Sequence, residues 1–283
     1  ANELKSALTS KIRRVYFVLF RSNIIIREGE QFMNYIHITK ENIDKEHICC
    51  AMSGKQSLAK KEWLKQRFDE GLVFYRSEER GKCFIEYIPA ENAWVPVRAD
   101  GYMFINCFWI AGSLKGNGYS NELLEECIRD SRQQGKKGLC VISSAKKKGF
   151  LSDPKFLKYK GFQVADTAGP YFELLYLPFE EAADKPEFLP QVKSPEADGK
   201  GFKMYYTNQC PFNAKYVPVL RQTAEAKGIP AECVHIQSVE AAKNVPAAVT
   251  TFALFYDGQY ITHELMSEKK FAALCDKYIE EKI

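Results

Sequence analysis

Residues 113–120, SLKGNGYS, set Gly116 and Gly118 between a hydrophobic strand pattern over 102–111 and a helical pattern opening near Tyr119. Glycines at such a turn let the backbone bend tightly and leave its amides uncovered. Those amides and the positive end of the helix form an anion site suited to a pyrophosphate, and Lys115 adds a mobile cation. Many strand-to-helix turns need glycines for geometry alone, so the motif gains meaning only from its surroundings. Other residues with chemical potential are dispersed. His37, His47, His235 and His263 show no metal-ligand spacing, and none of the nine cysteines falls in a CxxC pair, so no metal is expected.

The elements that must position the loop follow from periodicity. A strand is predicted over 34–39, then helices over 42–52 and 53–70, the second with Trp63, Leu64 and Phe68 on one face. Strands are predicted over 72–76, 83–89, 93–98 and 102–111, a helix over 119–134, a strand over 138–143 and a helix over 153–160. Two more strands follow over 162–165 and 171–177. Residues 179–200 are acidic, weakly periodic and punctuated by Pro186, Pro190, Pro195 and Gly199, which reads as an interdomain linker. Beyond it come a strand over 202–207, a helix over 211–227, a strand over 231–237 and a short helix over 238–243. Strands over 249–256 and 259–263, joined at Asp257-Gly258, and a helix over 267–281 complete the chain.

Bulk properties bound the function. A chain of 283 residues supports one large domain or two modest ones. Forty basic against 36 acidic residues leave a net charge of +4, too balanced to indicate a nucleic-acid partner. Lys146, Lys147, Lys148, Lys155, Lys158 and Lys160 cluster downstream of the loop, a solvated face or an attraction for an anionic cofactor. The odd cysteine count suggests reduced thiols and a cytoplasmic location. No apolar run reaches the roughly 18 residues of a membrane helix. Residues 11–26 mix basic and apolar residues but lack a small-residue cleavage site. The Arg-Glu-Gly-Glu run at 27–30 can be encoded by a purine-rich ribosome-binding sequence. Met33 is therefore the expected native start, with 1–32 an N-terminal extension of non-native origin.

The order of elements around the loop, with Gly116, Gly118 and Gly161-Phe162, resembles the GNAT family of N-acetyltransferases over 33–178. That family's loop reads Arg/Gln-x-x-Gly-x-Gly/Ala, and Ser113 stands at the Arg/Gln position. The resemblance implies an α+β fold that binds acetyl-CoA. Ile110, Ala111 and Gly112 would meet the pantetheine arm, and Leu114, Lys115, Gly116, Asn117, Gly118, Tyr119 and Ser120 the pyrophosphate. It also implies direct attack of an amine on the thioester, aided by an acid and a base. The family's tyrosine acid falls at Leu157, leaving Tyr159 as the candidate acid; Glu86 or a water chain is the candidate base.

Residues 201–283 resemble a smaller thioredoxin-like α/β domain. Its CxxC motif would be Cys210-Pro211-Phe212-Asn213, with Asn213 in place of the resolving cysteine. Cys210 at a helix start is the third candidate catalytic residue. Together with TNQCPF and FYDGQYITHELMSEKKF, this arrangement resembles the YoaP-like acetyltransferases of bacteria. The expected function is acetyl transfer to a small-molecule primary amine, with no nucleic-acid or membrane partner. The alternatives are an acyl-CoA-binding scaffold without turnover and a thiol or metal-handling protein built on Cys210.

Overall fold

In the computed structural model, residues 33–48, 56–79 and 81–280 are described; the expectations for 1–32 and 49–55 lie outside them. Elements run in chain order: β1 (Tyr35–Ile38), α1 (Gln56–Phe68), β2 (Val73–Ser77), β3 (Cys83–Pro89), β4 (Val97–Arg98), β5 (Tyr102–Ile110), α2 (Tyr119–Gln133) and β6 (Gly138–Ser144). Then come α3 (Pro154–Tyr159), β7 (Gln163–Ala168), β8 (Phe172–Pro178), β9 (Glu187–Phe188), β10 (Phe202–Tyr206), α4 (Asn213–Ala226) and β11 (Ala231–His235). The chain closes with α5 (Val239–Lys243), β12 (Phe252–Tyr256), β13 (Gln259–Thr262) and α6 (Glu268–Glu280).

The expected α+β class is what forms. Seven strands build one sheet in the order β1-β2-β3-β5-β6-β8-β7. Every neighbouring pair in it is antiparallel except β5 and β6, which run parallel. Helix α2 lies against β3, β5 and β6 and buries Leu123, Leu124 and Cys127 at helical spacing. A second sheet has the order β11-β10-β12-β13, with β10 and β11 parallel and the other pairs antiparallel. Its core joins Phe202, Met204 and Leu254 to Val217 and Leu220 of α4 and Phe271 of α6.

Three segments depart from their predicted form. The strand expected over 93–98 forms only at Val97–Arg98, outside the seven-stranded sheet. The described part of 42–52 is a turn rather than a helix, closed by Thr39 donating its amide to Asn42 Oδ1 at 2.8 Å. An Asx-type bond of this kind competes with helix formation. The segment 179–200, expected as a linker, folds back onto the first sheet's loops. There β9 pairs antiparallel with β4, Val97 opposite Phe188. Phe188 is 2% exposed and Val192 is fully buried. Both belong to a core that includes Trp94 and Phe104 before the segment, and Val249 and Phe255 after it. From Tyr35 onward the chain is accordingly one compact unit.

Phe188→Ala removes a ring from this shared core and is expected to cost about 3–5 kcal/mol, the usual loss for a buried phenylalanine. Equilibrium urea unfolding measures it. A freely tethered segment would show almost no change.

Candidate functional site

Strands β5 and β6 pair only at Tyr102–Gly138, Met103–Leu139 and Phe104–Cys140. Beyond that point β5 stays with β3 as far as Ile110, while β6 stays with β8 as far as Ser144. A slot opens between them. At its start β5 carries a bulge: Cys107 faces Glu86 and Ile105 faces Tyr87, so Asn106 is the extra residue. Bulges increase local twist and re-aim side chains. Asn106 bonds through both its side chain and its backbone carbonyl. Its Nδ2 donates to Glu86 Oε1 at 3.1 Å, and its carbonyl accepts from Gln209 Nε2 at 3.4 Å.

The slot widens into a cavity of about 400 Å³. One wall is residues 104–109 of β5, another Val141 and Ile142 of β6, and a third the loop residues Gly149–Ser152. The second sheet supplies the remaining wall with residues 209–212 and 249–251. Asn213 clamps those two loops together, its Nδ2 donating to the carbonyls of Thr207, at 2.9 Å, and Thr251. Thr250 Oγ1 donates to the Trp94 carbonyl and ties the same wall to the first sheet. Most of the lining is apolar and aromatic. Among the described residues its charged members are Lys60 and Lys82, and no carboxylate lines it.

At the outer end β5 runs into a 3-10 turn, Gly112–Leu114, and then into α2. Leu114 is buried and lies where a Cβ on Gly81 would stand, 2.7 Å from its Cδ1, so the loop is pinned beneath while its crest is open. Gly116 and Gly118 both have φ of +84°, a conformation that favours glycine, with open space where a Cβ would point. Gly118 caps α2 with no side-chain bond, so the helix end presents bare amides. The exposed Lys115 and the positive helix end suit this crest to an anion.

Ile110, Ala111, Gly112 and residues 114–120, the expected cofactor set, therefore follow one path from the slot to the helix end, with Leu114 buried beneath it. The three candidate catalytic residues are not brought together. Tyr159 is 84% exposed and does not line the cavity. It lies two residues past Leu157, which is fully buried, and two residues turn a helix by about 200°. Glu86 is fully buried behind the cavity, with Lys60 Nζ 2.5 Å from its Oε2. Cys210 lines the cavity, half-buried. Helix α4 starts at Asn213 and not at 211, which leaves Cys210 outside its first turn, where the helix dipole acts.

Sequence reasoning missed Lys60, Asn106 and Gln209. A signal for Lys60 existed. It falls on the buried face of α1 with Ser57, Trp63, Leu64 and Arg67, a place where a lysine needs a partner.

Comparisons with known proteins bear on the class of the chain. The family described as YoaP-like matches residues 230–272. The uncharacterized N-acetyltransferase YoaP of Bacillus subtilis is 48% identical over 246 residues, covering 86% of this chain and 98% of its own. A GNAT family acetyltransferase from Brucella melitensis, solved in complex with acetyl-CoA, is 14% identical with a TM-score of 0.35, over 56% of this chain and 93% of that one. The PaiA N-acetyltransferase from Thermoplasma acidophilum, in complex with coenzyme A, is 14% identical with a TM-score of 0.37, over 53% of this chain and 100% of that one. The class is that of the N-acetyltransferases, acyl-transferring enzymes. Within it, the chain belongs to the YoaP family. Among the described residues no helix is long and apolar enough to cross a membrane, and no group of side chains could hold a metal ion.

The loop that walls the cavity is latched from the second sheet. His263 is 1% exposed. Its Nε2 lies 2.8 Å from the Gly149 carbonyl and its Nδ1 2.8 Å from the Tyr171 hydroxyl. The carbonyl requires the proton on Nε2, so the neutral ring donates to Gly149 and accepts from Tyr171. Glu264 Oε1 accepts from the Gly149 amide at 3.2 Å. Burial pushes the His263 pKa below the ordinary 6.5, with the Gly149 bond and Glu264 opposing and Lys148 assisting. The folded ring is thus neutral where the unfolded one takes a proton. Stability from this group is complete above pH 6.5 and is lost as pH falls below it. Burial lowers His37 and His235 in the same direction. His263→Gln is therefore expected to remove part, and not all, of the stability loss between pH 6.5 and 5 in urea titrations. Identical slopes in the two proteins would show that the latch does not titrate.

Proposed function

We propose that the protein transfers an acetyl group from acetyl-CoA to a primary amine of a small molecule. The observation that carries this reading is the inner edge of β5, which pairs with β6 only as far as Phe104 and runs directly into a glycine loop and a helix end with no side-chain cap. Strand backbone groups need partners, and an extended pantetheine chain can supply them. The pyrophosphate then meets the amides of 116–120, with Lys115 alongside. From Asn106 to Gly112 the strand and the extended Ala111 after it cover about 20 Å at 3.3 Å per residue, a span suited to an extended pantetheine arm. The thioester would then lie near the bulge, inside the cavity.

Residues 33–178 act in this reading as the cofactor-binding domain and 201–283 as a thioredoxin-like domain, with 179–200 strapped between them. The order and directions of the second sheet support the thioredoxin-like assignment. Its residues 209–212 and 249–251 close the acceptor end of the cavity. A largely apolar space of this size favours a small apolar amine over a peptide chain. The amine attacks as the neutral base, and the cavity excludes competing water and orients the two reactants. Glu86 is already engaged by Lys60 and Asn106, so a water chain is the better route for the amine's proton. Described cysteines are all free thiols, which supports a cytoplasmic location.

Release of free CoA against a panel of small amines and a lysine peptide tests the reaction. Turnover with small amines alone supports the reading. Turnover with the peptide alone points to a protein acceptor, and binding without turnover to a scaffold. Gly116→Asp and Gly118→Asp each place a carboxylate at the pyrophosphate and are expected to weaken acetyl-CoA binding about tenfold or more by calorimetry, at least 1.4 kcal/mol. Unchanged affinity in both would refute the loop assignment. Direct attack also predicts that acetyl-CoA without amine leaves Cys210 unmodified in peptide mass spectra. An acetylated Cys210 would instead show a two-step relay through the thiol.

A further inference from the structure

Charge is distributed unevenly about the cavity. Lys60 lines it, while its partner Glu86 stands behind and does not. Lys60 is 2% exposed and Glu86 fully buried. The pair is held from several sides. Asn106, the bulge residue, donates to the second oxygen of Glu86. The rings of Trp63 and Phe74 lie 5.9 and 5.6 Å from the Lys60 nitrogen, which favours its charged form. A buried ion pair is a costly way to fill a core, and apolar residues of similar volume often serve stability as well. Its place at the inner end of the slot, beside the bulge, suggests a role in the reaction.

Resting on the acetyl-transfer reading above, we propose that Lys60 is a catalytic residue that stabilises the negative charge formed at the thioester. The amine lone pair forms the C–N bond, and the carbonyl electron pair moves to oxygen. The carbonyl then re-forms, the C–S bond breaks, and its electrons leave with the CoA sulfur. The nitrogen proton passes through water to solvent, and the thiolate is protonated after it leaves. Lys60 neither gives nor takes a proton in this scheme, and Glu86 Oε2 lies 2.5 Å from its nitrogen. Its ammonium faces first the oxyanion and then the sulfur. This is electrostatic stabilisation by a preorganised charge in a water-poor site, worth far more there than in bulk water. Glu86 and Asn106 are positioning residues in this scheme: the carboxylate fixes the ammonium, and the bulge amide fixes the carboxylate.

The test separates catalysis from packing. Lys60→Met leaves Glu86 buried without its partner, so loss of activity in that variant alone is ambiguous. Lys60→Met combined with Glu86→Leu removes both charges and is expected to restore thermal stability toward wild type. Acetyl-CoA binding by calorimetry should remain within about threefold, while kcat falls about a hundredfold or more. Lys60→Arg keeps the charge and should retain part of kcat. Recovery of kcat together with stability in the double variant would show a structural role only and overturn the proposal. A double variant that stays unstable hands the decision to Lys60→Arg: stable binding with kcat below a hundredth of wild type would also overturn it. Failure of the wild-type protein to bind acetyl-CoA or release CoA would defeat the acetyl-transfer reading itself, a result distinct from either.

Discussion

The parting of β5 from β6 after Phe104 is the constraint on which the rest of the structure depends. Each strand keeps its outer partner, β3 for one and β8 for the other, so neither can follow the other past that point. The bulge at Asn106 helps by adding a residue to β5 against β3 and turning the strand. An open strand edge inside a protein is an energetic liability unless its amides and carbonyls are met. Here one of them, the Asn106 carbonyl, is met by a side chain from the second sheet, Gln209. The remainder faces the cavity, and in the proposed reading the pantetheine arm meets it there.

The polar network at the bulge depends on that same parting. Asn106 links β5 to Glu86 on β3, Glu86 holds Lys60 on α1, and the Asn106 carbonyl reaches Gln209 in the second sheet. Four parts of the fold therefore meet through one residue. Buried networks of this kind are strong only when every member is satisfied, since the low dielectric that strengthens them also penalises an orphan. A change at Asn106 would disturb the slot, the ion pair and the docking of the second sheet together.

What was legible in the sequence was local. The form of the glycine loop could be read because it is written in adjacent residues, a strand, Gly116 and Gly118, and a helix with Leu123, Leu124 and Cys127 on one face. Strand and helix order could be read for the same reason, and the α+β class with it. Partners distant in the chain could not. Lys60 and Glu86 are 26 residues apart and meet only through sheet order. The strap was misread because its anchors, Phe188 and Val192, are isolated apolar residues among prolines and acids, with no period to betray their burial. Tyr159 shows the hazard of matching a family by residue type. A shift of two positions on α3 keeps the tyrosine but turns it to solvent, while Leu157 occupies the inward position.

The second sheet gains a more definite place from these contacts than its resemblance alone provides. In a thioredoxin-like unit the position of Asn213 would carry the resolving cysteine. Here its amide spends both hydrogens on carbonyls of Thr207 and Thr251, binding together the two loops that wall the cavity. The residue that removes dithiol chemistry is thus the one that stiffens the wall. His263 and Glu264 extend the same logic to the opposite side by holding Gly149. Both walls contributed or held by the second sheet are fixed by backbone-directed bonds, whose geometry does not depend on what fills the cavity. In the proposed reading, selectivity for the acceptor would then come from a preformed shape, with the cofactor side set by the first sheet and the acceptor side by the second.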